Sequence, residues 1–277
     1  MSPLWRDRLA LAIAPQRIVL VRTHGRLRPQ VVAKSLITVP GEHAAGGWQA
    51  ALDTLAHTLQ TDTQWQGLAV NAVLSNHLVR YQLIPWSAQI TSAEERAAYV
   101  RASFAQVYGD GAAQWTYAVS TTRRGAAWFA SAVDQALLAQ LEDAVGQAQS
   151  QLRSVTAHLM PAFNRARRAL KEKDLWFVQV EPHRLLLLLI LDGRWHAVSS
   201  HPVSGTAWQT QLPLLLEREW HLHGEGTMPR KLVISAPEAQ PAALDGADQW
   251  AVQWLPPLVH PGFSASTDAP YAMALGA

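Results

Sequence analysis

Two distant stretches of the chain share one pattern of apolar and polar residues. Residues 9–41 read LALAIAPQRIVLVRTHGRLRPQVVAKSLITVPG, and residues 175–205 read LWFVQVEPHRLLLLLILDGRWHAVSSHPVSG. In each, an apolar strand ends at a proline, a second apolar strand follows, and a Gly-Arg turn precedes a third strand. Glycine between polar neighbours favours a hairpin because it accepts positive φ. The pattern predicts a three-stranded meander at both places, with chance similarity of two hairpins as the alternative.

Each meander is followed by apolar residues at helical spacing and then by another apolar strand. The two sets of helical positions are Trp48, Leu52, Leu55 and Leu59, and Trp208, Leu212, Leu215 and Leu216. The strands that follow lie at 67–75 and 231–237. A strand that returns parallel to the meander through a helix requires a right-handed crossover. The order strand–strand–strand–helix–strand, used twice, predicts an α/β protein with two similar halves.

The segment between the halves predicts an inserted α+β subdomain. An apolar strand at 79–86 is followed by Ser92 and Glu95, which form the S-x-x-E capping-box pattern of a helix that continues to Tyr108. Two strands and a helix from 134 to 149 come next. A strand at 152–159 and a basic helix at 163–171 then lead into the second half.

These elements predict the domain boundaries. The first half covers 1–165, with its core at about 9–75 and 150–165 and the insert at about 79–149. The second half covers 166–256. Residues 257–277 are rich in proline, serine and alanine, and are expected to form a loose C-terminal tail.

The composition narrows the choice of partner. The chain has 277 residues, enough for two domains, and 49% of them are hydrophobic. Charged residues make up only 16%, below the usual ~25%, which indicates either a surface covered by a partner or a bias toward Ala, Gln and Leu. The net charge is +2, and the one compact basic run, at 165–173, is typical of a solvated helix face. We therefore expect no nucleic-acid partner.

The sequence also limits membrane and covalent chemistry. There is no cysteine, which excludes disulfides and thiolate metal sites. The apolar N-terminal stretch is interrupted at 15–17, so it predicts a strand and not a signal peptide. The longest apolar run, Leu185 to Leu191, is far shorter than the ~20 residues that span a bilayer. We expect a cytoplasmic protein that reaches a membrane only through a partner.

No separate metal or nucleophile site is expected. His221 and His223 are two residues apart, point to different sides of a helix, and have no further ligand near in sequence. The serine pairs Ser199-Ser200 and Ser204-Gly205 lack the G-x-S-x-G elbow of a serine nucleophile.

The order of elements resembles the actin-like ATPase superfamily. Within it, the insert is similar to that of the type IV pilus assembly protein PilM, the MSHA biogenesis protein MshI and the cytoplasmic part of the type II secretion protein GspL. In those proteins a strand ending in Leu-Pro and a polar helix open an inserted subdomain, which here corresponds to Tyr81–Trp86 and the helix from Ser92. The resemblance implies two ribonuclease-H-like subdomains with an α+β subdomain inserted in the first.

The residues that would bind nucleotide depart from that superfamily. Working members carry an Asp-x-Gly turn in the first hairpin of each half and a strand followed by Gly-Gly near the adenosine. The three positions here read Ala14-Pro15-Gln16, Glu181-Pro182-His183 and Ser235-Ala236-Pro237. Pro15 also lacks an N–H that could face a phosphate, although Glu181 keeps a carboxylate that could hold a metal. The departures predict a degenerate ATPase without catalytic residues or a required cofactor, with weak ATP binding still open.

The resemblance leaves two functions to consider. The first is a non-catalytic assembly protein at the inner membrane, which binds a short cytoplasmic segment of a partner, as PilM-like proteins are understood to bind a PilN-like protein. Its expected docking groove lies between the first core and the insert, at Leu83, Ile84, Pro85, Trp86 and Ser92. Trp86 is an interface anchor if it is exposed and a core residue if it is buried. The second function is an actin-fold ATPase or small-molecule kinase with divergent nucleotide motifs.

Overall fold

The computed structural model describes residues 7–25, 29–40, 47–120, 125–167, 170–204, 208–241, 244, 249–257, 260–264 and 267–276. Its strands are β1 (Arg8–Ala14), β2 (Arg17–His24), β3 (Gln30–Thr38), β4 (Ala69–Leu74), β5 (Arg80–Ile84), β6 (Trp115–Ser120), β7 (Trp128–Asp134), β8 (Gln151–Ala157), β9 (Leu175–Glu181), β10 (Arg184–Leu191), β11 (Arg194–Pro202), β12 (Lys231–Ser235) and β13 (Ala251–Trp254). Its helices are α1 (Gln49–Thr61), α2 (Ala93–Tyr108), α3 (Gln135–Gln147), α4 (Leu159–Ala166), α5 (Trp208–His223) and α6 (Ala272–Leu275).

Two five-stranded sheets repeat the same topology. The first has the order β3-β2-β1-β4-β8, and the second has the order β11-β10-β9-β12-β13. In both, the first three strands along the chain form an antiparallel meander, and the remaining two are parallel to its first strand. This repetition confirms the predicted α/β fold class, with two ribonuclease-H-like subdomains.

A smaller third sheet lies in the predicted insert. Its order is β5-β7-β6, with both neighbouring pairs antiparallel. Helix α2 contributes Val100 and Phe104 to a separate hydrophobic cluster that also contains Trp128 of β7. The insert therefore has a core of its own, as an α+β subdomain requires.

The largest hydrophobic cluster crosses from one half to the other. It includes Leu11 of β1, Leu52 of α1 and Leu141 of α3, together with Phe177 of β9 and Leu188 of β10. Strands β9 and β10 are almost continuously buried, because each sheet is covered on both faces, which is the usual reason for unbroken apolar strands. The outer strand β3 instead alternates between exposed and partly buried positions.

The predicted loose C-terminal tail is wrong for the last elements of the chain. A short 3-10 helix, Ala269–Tyr271, leads into α6. Met273 and Ala274 are buried in a cluster with Val19 and Val73 of the first sheet. The segment packs because its few apolar residues cover a sheet face that would otherwise be exposed to water.

Other local predictions shift or cannot be compared. The basic helix predicted at 163–171 begins earlier and ends at Ala166. The predicted turn residues Arg26 and 122–124, the basic residue Arg168, and Gly205 of the Ser-Gly pair lie outside the described residues. Within the described part of the chain, no helix has the length and apolar character needed to cross a bilayer.

Candidate functional site

The three sequence-predicted nucleotide turns lie at the ends of the central strands. Ala14-Pro15-Gln16 connects β1 to β2, Glu181-Pro182-His183 connects β9 to β10, and Ser235 ends β12 with Ala236 directly after it. The backbone N–H of Ser75, just after β4, donates to Ile13 O at 2.9 Å. His183 takes the left-handed conformation in the second turn, with φ of 61°, which glycine adopts more readily.

Glu181 of the second half bonds directly to the first half. The Ser75 hydroxyl donates to Glu181 Oε2, and the backbone N–H of Asn76 donates to both carboxylate oxygens at 3.1 and 3.2 Å. His158 Nδ1 lies 2.6 Å from Glu181 Oε1, where the imidazole must be the donor because an ionised carboxylate only accepts. Both oxygens of this buried carboxylate are therefore engaged by protein groups.

The same contacts set the charge state of Glu181. Burial alone would raise the pKa of its carboxyl group. The hydrogen bond and attraction from His158, the hydrogen bond from Ser75 and the attraction of His77 outweigh burial and lower the pKa to about 2. Hydrogen bonds to the charged form favour that form, so Glu181 is an anion at neutral pH.

Neighbouring groups extend this connection between the halves. His77 Nε2 lies 2.8 Å from the carbonyl oxygen of Pro182, and the Tyr81 hydroxyl donates to Asn76 Oδ1 at 2.6 Å. Arg17, directly after the first turn, forms a two-armed ion pair with Glu238, which follows Ala236 in the second half. We call Glu181, Ser75, Asn76, His158 and His77 the interdomain cluster.

This arrangement does not fit a metal–nucleotide complex. Ala14 supplies no carboxylate, Pro15 supplies no N–H, and Glu181, which the sequence left open as a metal ligand, already accepts hydrogen bonds on both oxygens. Among the described residues, no group of three or more His, Asp or Glu side chains is placed to hold a metal ion. His221 Nδ1 lies 2.7 Å from Glu217 O, and His223 Nε2 lies 3.7 Å from Glu219 Oε2.

The predicted docking residues have separate roles. Leu83 is partly exposed in a groove of about 1460 Å³, whereas Ile84 is fully buried in the core of the insert. Trp86 is partly buried and packs against that same core, Pro85 is exposed, and the Ser92 hydroxyl accepts from the N–H of Glu95 as the N-cap of α2. The structure therefore brings one of the five residues to the groove.

The docking groove that the sequence places between the first core and the insert stays a prediction. The groove that the structure shows lies between the insert, helix α4 and the second half. Its apolar lining comes from β5 and β7 of the insert, from α4, and from β10 and β11. Trp195 of β11 is central to it, because its ring packs edge-on against Phe129 at 4.5 Å and Phe163 at 4.8 Å between ring centres. A ring held on two sides offers a rigid apolar contact surface.

Sequence reasoning missed most of the interdomain cluster. Ser75 ends a predicted strand and Asn76 and His77 follow it, so polar residues at the end of that strand were the available signal. Their partner Glu181 is 105 residues away in the chain, so no local pattern could pair them. His158 gave no signal in the sequence either, since it directly follows the last residue of β8, an ordinary strand.

Fold and site together define an actin-like ATPase fold in which contacts between the two halves lie beside the turns that the sequence predicts as nucleotide positions. Solved structures of this fold cover nearly the whole chain. A PilM–PilN type IV pilus biogenesis complex matches with a TM-score of 0.64 and 18% identity, covering 97% of this chain and 96% of the other. The cytoplasmic domain of EpsL, an inner-membrane component of the type II secretion system of Vibrio cholerae, matches with a TM-score of 0.58 and 11% identity, covering 98% and 94%.

A third structure supports the same fold. It is a protein of unknown function from Bacteroides thetaiotaomicron with an actin-like ATPase fold, with a TM-score of 0.59 and 8% identity over 99% of both chains. No protein-family model matches the sequence, and no curated protein is similar enough in sequence to count as a match. The comparisons confirm the resemblance to PilM-like and GspL-like structures at the level of fold.

Proposed function

We propose that the protein is a non-catalytic assembly component of a type IV pilus or type II secretion-like envelope machine. In this role it binds a short cytoplasmic segment of an inner-membrane partner and stays peripheral to that membrane. The similar folds of the PilM–PilN complex and of the EpsL cytoplasmic domain support the class of machine. A PilN-like protein is accordingly the expected kind of partner.

The hydrogen bonding of Glu181 is the observation that carries the non-catalytic part of the proposal. Phosphoryl transfer in this fold depends on groups that position a metal ion and neutralise developing charge. The first turn has no acid for that purpose, and the acid of the second turn accepts bonds from Ser75, Asn76 and His158 of the other half. Freeing Glu181 for a metal would cost these bonds and leave their buried donors unpaired.

Phosphate release from ATP with Mg²⁺ tests this part directly. We expect the purified protein to release phosphate no faster than a heat-treated sample. Release well above that control, and abolished in Glu181→Ala, would contradict the proposal and favour a divergent ATPase or small-molecule kinase. Binding of ATP without turnover is compatible with the proposal.

The groove beside Trp195 is the proposed docking surface for the partner segment. Its lining combines aromatic and aliphatic side chains with polar and charged ones, and Leu83 is the lining residue that the sequence also selected. Extended peptides are held in such grooves by backbone hydrogen bonds and a few apolar anchors. The occupant is therefore expected to be an extended segment with two or more apolar side chains.

Leu83→Ala tests the groove against the cytoplasmic peptide of a single-span membrane protein encoded beside this gene. We expect a loss of about 1–2 kcal/mol in binding, measured by fluorescence anisotropy, because apolar anchors in a desolvated groove carry much of the affinity. Leu214→Ala is the matched control, since Leu214 is exposed on α5 outside the groove. Equal losses in both variants, or none in either, would count against this surface.

Trp86→Ala separates docking from packing at the residue that the sequence favoured. A loss of ~2 kcal/mol or more in partner affinity, with an unchanged melting temperature, would give Trp86 the role of an interface anchor. Its contact with the core of the insert instead favours a lower melting temperature. Loss of stability with unchanged affinity would assign Trp86 to the packing of the insert and not to partner binding.

A further inference from the structure

A second cavity, of about 550 Å³, lies between the insert and the edge of the second sheet. Its walls are β5 and the end of α2 on one side, and β11 with the first residue of β10 on the other. A volume of this size is within the ~300–1,000 Å³ range of small-molecule sites. It is adjacent to the docking groove, with which it shares Leu83 and His196.

The cavity is lined by basic side chains and by no acidic one among the described residues. Arg80 and Arg184 line it together with His196 and His223, and none of its described lining residues is an Asp or a Glu. Within the described part of the chain, neither arginine forms an ion pair. Two arginines therefore line one small cavity in which no described lining residue supplies a carboxylate to pair with them.

The two arginines still have unused donors. Arg184 Nη1 donates to Ser200 Oγ at 3.0 Å, and Arg80 Nη1 donates to the carbonyl oxygen of His77 at 3.2 Å. Arg184 Nε is buried and has no hydrogen-bond partner among the described residues. Ser199, Ser200 and Tyr108 also line the cavity. A buried donor without a partner is costly, and an oxyanion can accept from several of these groups at once.

The neighbouring carboxylates are already bonded elsewhere. Glu181 accepts from Ser75, Asn76 and His158, and Glu219 is paired with His201 and His223. Burial and then repulsion from Arg80 lower the pKa of Arg184, while Glu181 partly opposes them. Because both arginines line one cavity, their like charges repel each other, and a bound negative charge would relieve that repulsion.

We propose that this cavity binds a small molecule through a phosphate or carboxylate group held between Arg80 and Arg184. Arginine provides a planar fork of donors that matches both of these oxyanions. Because Arg80 belongs to the insert and Arg184 to the second half, the bound anion contacts both parts and stabilises their association. None of the residues that line the cavity belongs to the three turns predicted to bind nucleotide, although Arg184 directly follows the second of them. Occupation of the cavity does not depend on the proposed partner.

Titration calorimetry of the whole protein with sodium phosphate, and separately with sodium succinate, tests the site at constant ionic strength. We expect saturable binding of at least one of these anions and no such signal with sodium chloride. The two titrations distinguish a phosphate from a carboxylate ligand. Arg80→Gln and Arg184→Gln should each weaken binding at least tenfold, since each removes one of the two cationic contacts.

Arg153→Gln is the control, because Arg153 is exposed on β8 and lies outside the cavity. It should bind the anion as the unaltered protein does. Arg80→Gln keeps the test valid if Arg184→Gln unfolds, which circular dichroism detects. The proposal is overturned if neither anion binds saturably, or if Arg80→Gln and Arg153→Gln bind equally well.

Discussion

Glu181 combines two features that usually exclude each other in proteins, a buried position and a negative charge. Its carboxylate is tolerated because the Ser75 hydroxyl, the Asn76 N–H and His158 donate to it. The Ser75 oxygen itself accepts from His77 N–H at 3.2 Å. Removing one partner of a buried ion pair lowers the stability of a protein strongly, because the other charge is left buried without a partner. The intact pair adds little stability compared with apolar residues packed in its place. We therefore regard Glu181 primarily as a residue that stabilises the contact between the two halves.

The lowered pKa of Glu181 predicts a specific dependence of stability on pH. The folded-state pKa of Glu181 is about 2, compared with 4.5 in the unfolded chain. The ionised carboxylate therefore adds to the free energy of unfolding above pH 4.5, and this stabilisation is lost as the pH falls toward 2. At ~1.4 kcal/mol per pKa unit the contribution is on the order of 3 kcal/mol. Glu181→Gln should therefore unfold more easily at pH 7.

The measurement is urea unfolding of both proteins between pH 7 and pH 2.5. The gap in unfolding free energy should narrow as the pH falls through this window, because the unaltered protein loses the charge that the variant lacks. Other carboxyl groups titrate in both proteins and cancel in the difference. A gap that stays constant with pH would show that the charge of Glu181 contributes nothing to stability.

Ser92 is expected to act on helix stability and not on partner binding. Its hydroxyl accepts from Glu95 N–H at 3.0 Å, and Glu95 Oε2 accepts from Ser92 N–H at 3.0 Å. Ser92→Ala should lower the unfolding free energy by about 1 kcal/mol, as the loss of an N-cap does. Chemical denaturation and peptide binding on the same variant check this. Weaker peptide binding at unchanged stability would instead return Ser92 to the docking surface.

At the scale of elements, the final segment of the chain covers one face of the first sheet. Lys34 of β3 pairs with Asp268 at 2.6 Å, and its ammonium group lies 4.9 Å from the ring centre of Phe263. Beyond this anchor, Met273 packs into the cluster formed with Val19 and Val73. Polar and apolar contacts thus hold the segment at two separate points.

Met273→Ala distinguishes a packed segment from a loose one. We expect the unfolding free energy to fall by about 2–5 kcal/mol, as it does when a buried methionine is truncated. Leu214→Ala, on an exposed position of α5, should change it by less than about 0.5 kcal/mol. If thermal unfolding shows equal stability for the two variants, the segment is as loose as its composition suggested.

How far the sequence predicts this fold depends on how local each signal is. The meanders and their parallel strands follow from runs of apolar residues, and the capping box at Ser92 and Glu95 located the start of α2. Segment 257–277 was misread because its proline- and serine-rich composition hides a few apolar residues that pack only on a distant sheet. The interdomain cluster could not be predicted for the same reason, since it joins residues that only the finished fold brings together.

On the scale of the whole molecule, the two halves share one hydrophobic cluster. Leu11 and Ile13 of the first sheet belong to the same cluster as Phe177 and Val233 of the second. Polar contacts at the interdomain cluster and the ion pair of Arg17 with Glu238 add to this junction. The two domains and their boundaries remain a prediction from the sequence. The hydrophobic cores of the two halves are not independent of each other, because buried residues of both belong to one cluster.

We therefore expect both halves to unfold in a single cooperative transition. Phe177→Ala, in the second half, should cost about 3–5 kcal/mol because a large buried ring is removed. If the core is shared, calorimetry will show one transition that moves as a whole, and hydrogen exchange in β1 will become faster together with exchange in β9. Two resolved transitions, with Phe177→Ala shifting only one of them and β1 exchange unchanged, would show that the halves are independently stable and that the shared cluster does not couple them.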